Sequence, residues 1–165
     1  LINNAATNPY FGEMLGADEW VWNKTFDVNL KGPFFLIQHA ARLMIDSGGG
    51  SIVNTSSING ITPAPLQGVY SITKAGLISM TKAFAVECAE AGVRCNALLP
   101  GLTDTKFASV LVNTPAILKQ AMAHVPMRRV AQPSEMAGTA LYFASAASSY
   151  TTGAVLNVDG GYLSV

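Results

Sequence analysis

The sequence predicts an α/β fold organised around a buried parallel sheet. Three observations carry that expectation. Short apolar runs (Leu1 to Ala5, Ser51 to Thr55, Val93 to Leu99 and Ala154 to Val158) alternate with longer stretches of helical spacing. The runs give way to polar or turn-forming residues: Asn-Pro follows the first, Ser56-Ser57 the second, Pro100-Gly101 the third and Asp159-Gly160-Gly161 the last. Half of the 165 residues are hydrophobic and only 12% are charged, as expected where strands are covered on both faces.

The elements follow in order. Leu1 to Ala5 suits a buried strand that leaves through Asn8-Pro9 into a loop. Asp18 is the expected N-cap of a helix with Glu19 in its first turn and Trp20, Phe26, Val28 and Leu30 near helical spacing. Proline at position 33 lacks an N–H and clashes one turn back, so a break is expected near Asn29, with a second helix running on to about Ser47. Gly48-Gly49-Gly50 reads as a helix-to-strand turn before Ser51 to Thr55. The loop from Ile58 to Val69 holds Pro63 and Pro65 and delivers Tyr70 at the mouth of a helix reaching about Ala91. Thr114-Pro115 predicts a helix start and Val125-Pro126 a stop, a further helix begins around Pro133, and Ala154 to Val158 is the last strand. His39 and His124 fall inside predicted helices without acidic or thiol partners nearby, Trp20 and Trp22 are read as packing residues, and Asp159 as a turn former.

Charge and cysteine content narrow the function. The formal net charge is zero, which leaves no electrostatic footprint for nucleic acid or an acidic membrane surface. No apolar run approaches bilayer-spanning length and no basic leader precedes one, so a cytoplasmic location is expected. Cys88 and Cys95 lack the short spacing of zinc or redox pairs and are expected to be buried free thiols.

Tyr70 and Lys74 stand four residues apart, so on a helix they project from nearly the same face. Free tyrosine is a poor acid or base at neutrality, but a fixed cation beside it favours the phenolate. Lys74 is placed to be that cation. Ser57 marks the end of a strand, where open α/β sheets gather their ligands, and its hydroxyl can hydrogen-bond a carbonyl or alcohol oxygen beside the phenol. Because Tyr70 and Ser57 would meet the developing oxyanion, no metal is called for. Ser56, one position earlier, stands at the same strand end.

Taken with Asn3 to Ala6, Asn29, Pro100-Gly101 and Asp159-Gly160-Gly161, these residues make the chain resemble the short-chain dehydrogenase/reductase family over its whole length. The resemblance implies the C-terminal portion of a doubly wound, parallel-sheet Rossmann fold. The family's catalytic tetrad would fall on Asn29, Ser57, Tyr70 and Lys74, with Asn29 supporting a water linked to the lysine; the separation of Ser57 from Tyr70 matches the family, which leaves Ser56 to cap backbone. Its Asn-Asn-Ala-Gly motif would fall on Asn3 to Ala6, with Ala6 in place of glycine. Cofactor contacts would come from Asn4, Ala5, Tyr70, Lys74, Pro100, Gly101, Thr103 and Thr105, and the cofactor would be NADP or NAD. The segment from Asp104 to Ala131 resembles the substrate lid, with Phe107, Val110, Leu111, Met122 and Met127 as candidate lining of an apolar pocket. Asn8 to Gly12, Pro100 to Leu102 and Thr105 to Phe107 look most like the carbonyl and retinal reductases. The long helix beginning at Tyr70 is apolar on two sides, and in the family its counterpart packs on a partner subunit, so a homo-oligomer is expected.

No glycine-rich phosphate turn lies between a strand and a following helix. Residues 1–165 are therefore expected to form a single partial domain whose N-terminal strands are missing, and the isolated fragment is expected to be inactive. The resemblance implies hydride transfer between a nicotinamide and a small carbonyl or secondary alcohol. Two other readings stand beside it: a nucleotide-linked epimerase or dehydratase, which also uses Tyr and Lys four apart, and a truncated chain without activity of its own.

Overall fold

The computed structural model describes residues 1–165, the side chains of Val110, Leu111 and Ile117 excepted. Four parallel strands stand in sequence order, β1 (Ile2–Asn3), β2 (Gly50–Thr55), β3 (Val93–Pro100) and β4 (Val155–Val158). Ile2 pairs with Val53, Ile52 with Cys95 and Leu98 with Leu156, so all four carboxyl ends open toward one edge. Helices cover both faces. On one side α2 (Gly32–Asp46) and α3 (Gly68–Cys88) pack Ile37, Ala41, Ala85 and Cys88 against Ile52, Val93 and Cys95. On the other, α6 (Ser134–Ala144) buries Phe143 against Val53 and Leu98. These layers are those of a doubly wound α/β sheet.

β1 is shorter than the run Leu1 to Ala5 suggested; only two residues pair with β2. Its Asn3 is nonetheless buried and begins a polar thread through the sheet. Asn3 Nδ2 donates to Asn54 Oδ1 at 2.9 Å, and Asn54 Nδ2 in turn donates to Thr81 Oγ1 on α3 at 2.9 Å and to Cys95 Sγ at 3.6 Å. Among the described residues no buried side-chain nitrogen or oxygen lacks a hydrogen-bond partner, which is the condition for holding such groups in a core. Cys88 and Cys95 are buried free thiols, and burial pushes Cys95 up to about 12.

The expected break at Pro33 takes another form. The helix α1 (Glu19–Phe26), capped by Asp18 through a bond from the Val21 N–H, runs through one wide turn at Asp27–Lys31 into α2 without interruption. In that turn the Gly32 N–H reaches back five residues to the Asp27 carbonyl. Widening the helix by one residue accommodates a proline that cannot donate, where a break would have exposed several backbone groups. Gly49 makes the α2–β2 turn at φ +127°, and a side chain there would strike the Gly92 carbonyl. Beyond β3 come α4 (Ser109–Val112) and α5 (Pro115–Ala123), and His124 stands just past the end of α5 instead of inside it. Trp22 stacks on Phe26 at 4.1 Å, whereas Trp20 is 61% exposed and packs little.

Candidate active site

The loop after β2 and the first two turns of α3 bring Ser57, Tyr70 and Lys74 together. Ser57 has extended backbone and caps the short 3-10 turn Ile58–Gly60, its Oγ accepting from the Asn59 N–H at 3.1 Å. Gly60 then lies directly on α3, where a Cβ would come within 2.8 Å of the Lys74 backbone. Ser56 points to the same place and donates to the Lys74 carbonyl at 2.8 Å, the backbone role expected of it. The serine loop is thus fastened to the helix that carries the phenol and the amine.

Tyr70 is 7% exposed and Lys74 2% exposed, so both reactive groups are largely out of water. Burial pushes the Tyr70 phenol up to about 12, and the Ser57 hydroxyl beside it opposes the shift. Burial also pulls Lys74 down to about 8. The Lys74 ammonium donates to the Thr55 carbonyl at 2.9 Å and sits 5.4 Å from the centre of the Tyr70 ring. The expected depression of the phenol by Lys74 is not seen in this geometry: burial dominates and raises the phenol, and what opposes it is the Ser57 hydroxyl, not the charge of the amine.

Asn29 lies in the wide turn, 1% exposed, with its side chain fully engaged. Its Oδ1 accepts from the Thr7 N–H at 2.8 Å, and its Nδ2 donates to the Thr7 carbonyl at 2.9 Å and to Thr73 Oγ1 at 3.0 Å. Thr73 Oγ1 donates onward to the Tyr70 carbonyl at 2.7 Å. The Asn29 side chain thus clamps the chain leaving β1 to the helix turn that holds Tyr70 and Lys74. Its main-chain carbonyl would take its α-helical donor from residue 33, and proline has none.

The remaining candidates line the same edge of the sheet. Asn4 and Ala5 follow β1 and are exposed; Pro100 ends β3 and Gly101 follows it. Gly101 is pressed against Asp159 at the end of β4, where a Cβ would meet the Asp159 Cα at 2.7 Å. Thr103 Oγ1 donates to the Gly101 carbonyl at 3.0 Å, and Thr105 Oγ1 accepts from the Ala108 N–H at 3.2 Å, bracing the turn that carries the chain away. Phe107 closes over the site with its ring 5.7 Å from that of Tyr70. Of the other expected pocket residues, Met127 lines a separate hollow with Gly101, Leu102 and Val158, and Met122 is not part of that lining. Val110 and Leu111 lie outside the described side chains.

Sequence reasoning missed Thr73, Thr55 and Gly60. Thr73 was accessible, since position 73 shares a helix face with Tyr70 and Lys74. The other two act through backbone contacts that side-chain spacing does not encode.

Comparison with known proteins identifies relatives of this chain. A family model described as Enoyl-(Acyl carrier protein) reductase matches residues 1–163. Dehydrogenase/reductase SDR family member 4 of Bos taurus is 42% identical over 164 residues, covering 99% of this chain and 59% of the relative. Gluconate 5-dehydrogenase from Burkholderia cenocepacia, solved in complex with NADP and tartrate, superposes with a TM-score of 0.97 at 32% identity, over 99% of this chain and 64% of that one. A short-chain type dehydrogenase/reductase from Mycobacterium ulcerans gives a TM-score of 0.95 at 30% identity, over 98% and 59% of the two chains. The chain belongs to the short-chain dehydrogenase/reductase family, and it spans about three fifths of the length of its curated relatives.

Proposed function

We propose that the whole protein is a nicotinamide-dependent oxidoreductase acting on a small carbonyl or secondary alcohol, with Tyr70 exchanging the proton. The observation that carries this reading is the buried Ser57–Tyr70–Lys74 group at the carboxyl edge of a parallel sheet. When bound, the nicotinamide supplies or takes the hydride at the substrate carbon.

The residues present fit such a cofactor, NADP or NAD. Lys74 is a buried ammonium with one hydrogen bond to protein, so two of its three donors remain for a ribose hydroxyl pair. The Thr103 hydroxyl, donating to Gly101, keeps its lone pairs for a carboxamide N–H, while Pro100, Gly101 and Thr105 shape the turn around it. Asn4 and Ala5 offer exposed backbone at the end of β1. The Burkholderia relative holds NADP, which supports a nicotinamide cofactor here without choosing between NADP and NAD.

The chemistry follows from the environment of the phenol. Ser57 and Tyr70 both direct hydroxyls toward one substrate oxygen. In reduction the Tyr70 O–H bond breaks and its proton passes to the carbonyl oxygen as the carbon accepts hydride; in oxidation the proton returns. A phenol held near 12 is protonated throughout the physiological range, which suits donation to an incipient alkoxide. Asn29, through its carbonyl left without an α-helical donor, would hold the water that returns a proton by way of Lys74.

Tyr70→Phe in the whole protein is expected to lower kcat by at least about a thousandfold, near the upper range for one acid–base group, while cofactor binding measured by calorimetry stays within a few fold. Retained turnover would remove Tyr70 from the chemistry. A net change in nicotinamide absorbance during turnover separates this reading from an epimerase or dehydratase, which would recycle its cofactor.

A further inference from the structure

We infer that Thr73 is a positioning residue for the proton transfer: its buried hydroxyl ties the Asn29 carboxamide, and with it the chain leaving β1, to the turn of α3 that holds Tyr70 and Lys74. The inference rests on the oxidoreductase reading above and adds a residue to the machinery of that same site.

The polarity of the contacts carries the argument. Thr73 is fully buried on the helical turn between Tyr70 and Lys74. A hydroxyl has one proton to give, and that of Thr73 goes to the Tyr70 carbonyl at 2.7 Å, so toward Asn29 its oxygen can only accept. Asn29 Nδ2 has two hydrogens and directs them at the Thr7 carbonyl at 2.9 Å and at Thr73 Oγ1 at 3.0 Å. Asn29 Oδ1 takes the Thr7 N–H at 2.8 Å. The carboxamide thus meets both peptide groups of Thr7 as the facing residue of an antiparallel strand would, and the third contact fastens that pairing to α3.

Removing the hydroxyl undoes more than one bond. Asn29 is 1% exposed, so an Nδ2 hydrogen stripped of its acceptor there lies out of reach of bulk water. The carboxamide must turn to find another partner, and turning it gives up the two bonds to Thr7 as well. The wide turn that moves with it carries the Asn29 main-chain carbonyl, the atom that would hold the relay water. The segment released at Thr7 follows directly on Asn4 and Ala5.

The same turn of α3 is already held from β2. Ser56 Oγ donates to the Lys74 carbonyl at 2.8 Å, and the Lys74 ammonium donates to the Thr55 carbonyl at 2.9 Å. Thr73 adds the hold from the wide turn. The phenol and the water-holding carbonyl, the two ends of the proton route, are thereby kept in register to within roughly the 0.5 Å that a reacting constellation requires.

The test uses the whole protein and two variants that divide the side chain. Thr73→Val keeps the branched shape and removes the hydroxyl; Thr73→Ser keeps the hydroxyl and removes the methyl. Reduction of 2,3-butanedione is followed with saturating NADPH and with saturating NADH. Thr73→Val is expected to lower kcat at least about tenfold with the butanedione KM within about twofold, and Thr73→Ser to stay within about threefold of wild type, since the loss comes from misplaced reacting groups. Hydrogen exchange read by mass spectrometry is the second measurement: the peptide containing Thr7 should lose protection about tenfold in Thr73→Val and keep it in Thr73→Ser, with the β4 peptide unchanged in both. A packing role would reverse the order and make serine the weaker variant, which would overturn the inference, as would wild-type kcat or wild-type protection at Thr7 in Thr73→Val. Tyr70→Phe separates the two levels: retained turnover there removes the oxidoreductase reading, whereas lost turnover there beside an unchanged kcat in Thr73→Val removes only the role of Thr73. If the wild type leaves butanedione unreduced, protection at Thr7 decides the hold of Thr73 on its own.

Discussion

Lys74 sits in a setting far from its ordinary chemistry. Burial lowers it from 10.5 to about 8, so below pH 8 the folded state carries a charge that its surroundings disfavour. Between pH 8 and 10.5 the unfolded chain binds a proton that the folded one releases, so stability rises with pH across that window, by about 3 kcal/mol in total. Tyr70 acts in the opposite sense higher up. Its rise from 10.0 to about 12 makes stability fall once pH passes 10, because the unfolded chain then loses the proton first. Urea unfolding of the whole protein from pH 7.5 to 9.5 should show the rise, and Lys74→Met should remove it. A wild-type curve that is flat or falling there would contradict the buried setting of the amine. The Tyr70–Lys74 pair itself was legible in the sequence, since four-residue spacing on a helix needs no tertiary information. The sign of its electrostatics was not, because desolvation depends on how deeply the sheet and the Phe107 segment cover the phenol.

At the scale of elements, the site depends on how closely the turn after β2 approaches α3. Gly60 allows that approach, its missing Cβ leaving room for the Lys74 backbone. Backbone cannot move aside as a long side chain can. Gly60→Ala should cost about 1–3 kcal/mol by overpacking and displace Ser57 from Tyr70, lowering kcat about tenfold while the secondary structure seen by circular dichroism is unchanged. An alanine variant with wild-type kcat and melting temperature would show that the turn can relax. The strand order and the helix after Asp18 followed from apolar runs and a capping residue. The wide turn at Asp27–Lys31 did not, although Pro33 marked its position. A missing N–H shows where the ladder must change, and only the surrounding packing decides between a break and a five-residue hydrogen bond.

The molecule as a whole presents an apolar surface along its helices. Trp20, Phe35, Leu36 and Leu43 on α1 and α2 and Val86 on α3 are 61, 54, 55, 66 and 81% exposed. Apolar surface of this extent on a folded chain is characteristic of contact faces, and we propose that the whole protein uses it to assemble into a homo-oligomer. Val86→Glu is expected to lower the assembly state in sedimentation velocity with little change in secondary structure. A whole protein that sediments as a monomer before any substitution would dispose of the expectation. Among the described residues no helix is long and apolar enough to cross a membrane.

The asparagine thread from Asn3 through Asn54 to Thr81 and Cys95 bears on how the strands find their alignment. Strands buried on both faces are apolar nearly throughout, so hydrophobicity alone scarcely distinguishes the native pairing from one slipped by two residues. A slip would carry Asn54 away from both Asn3 and Thr81 and strand its carboxamide in oil. The sheet thus carries a built-in proofreading mark: misaligned pairings are rejected by unmet polarity, and the edge where Ser57, Tyr70 and Lys74 gather inherits that alignment.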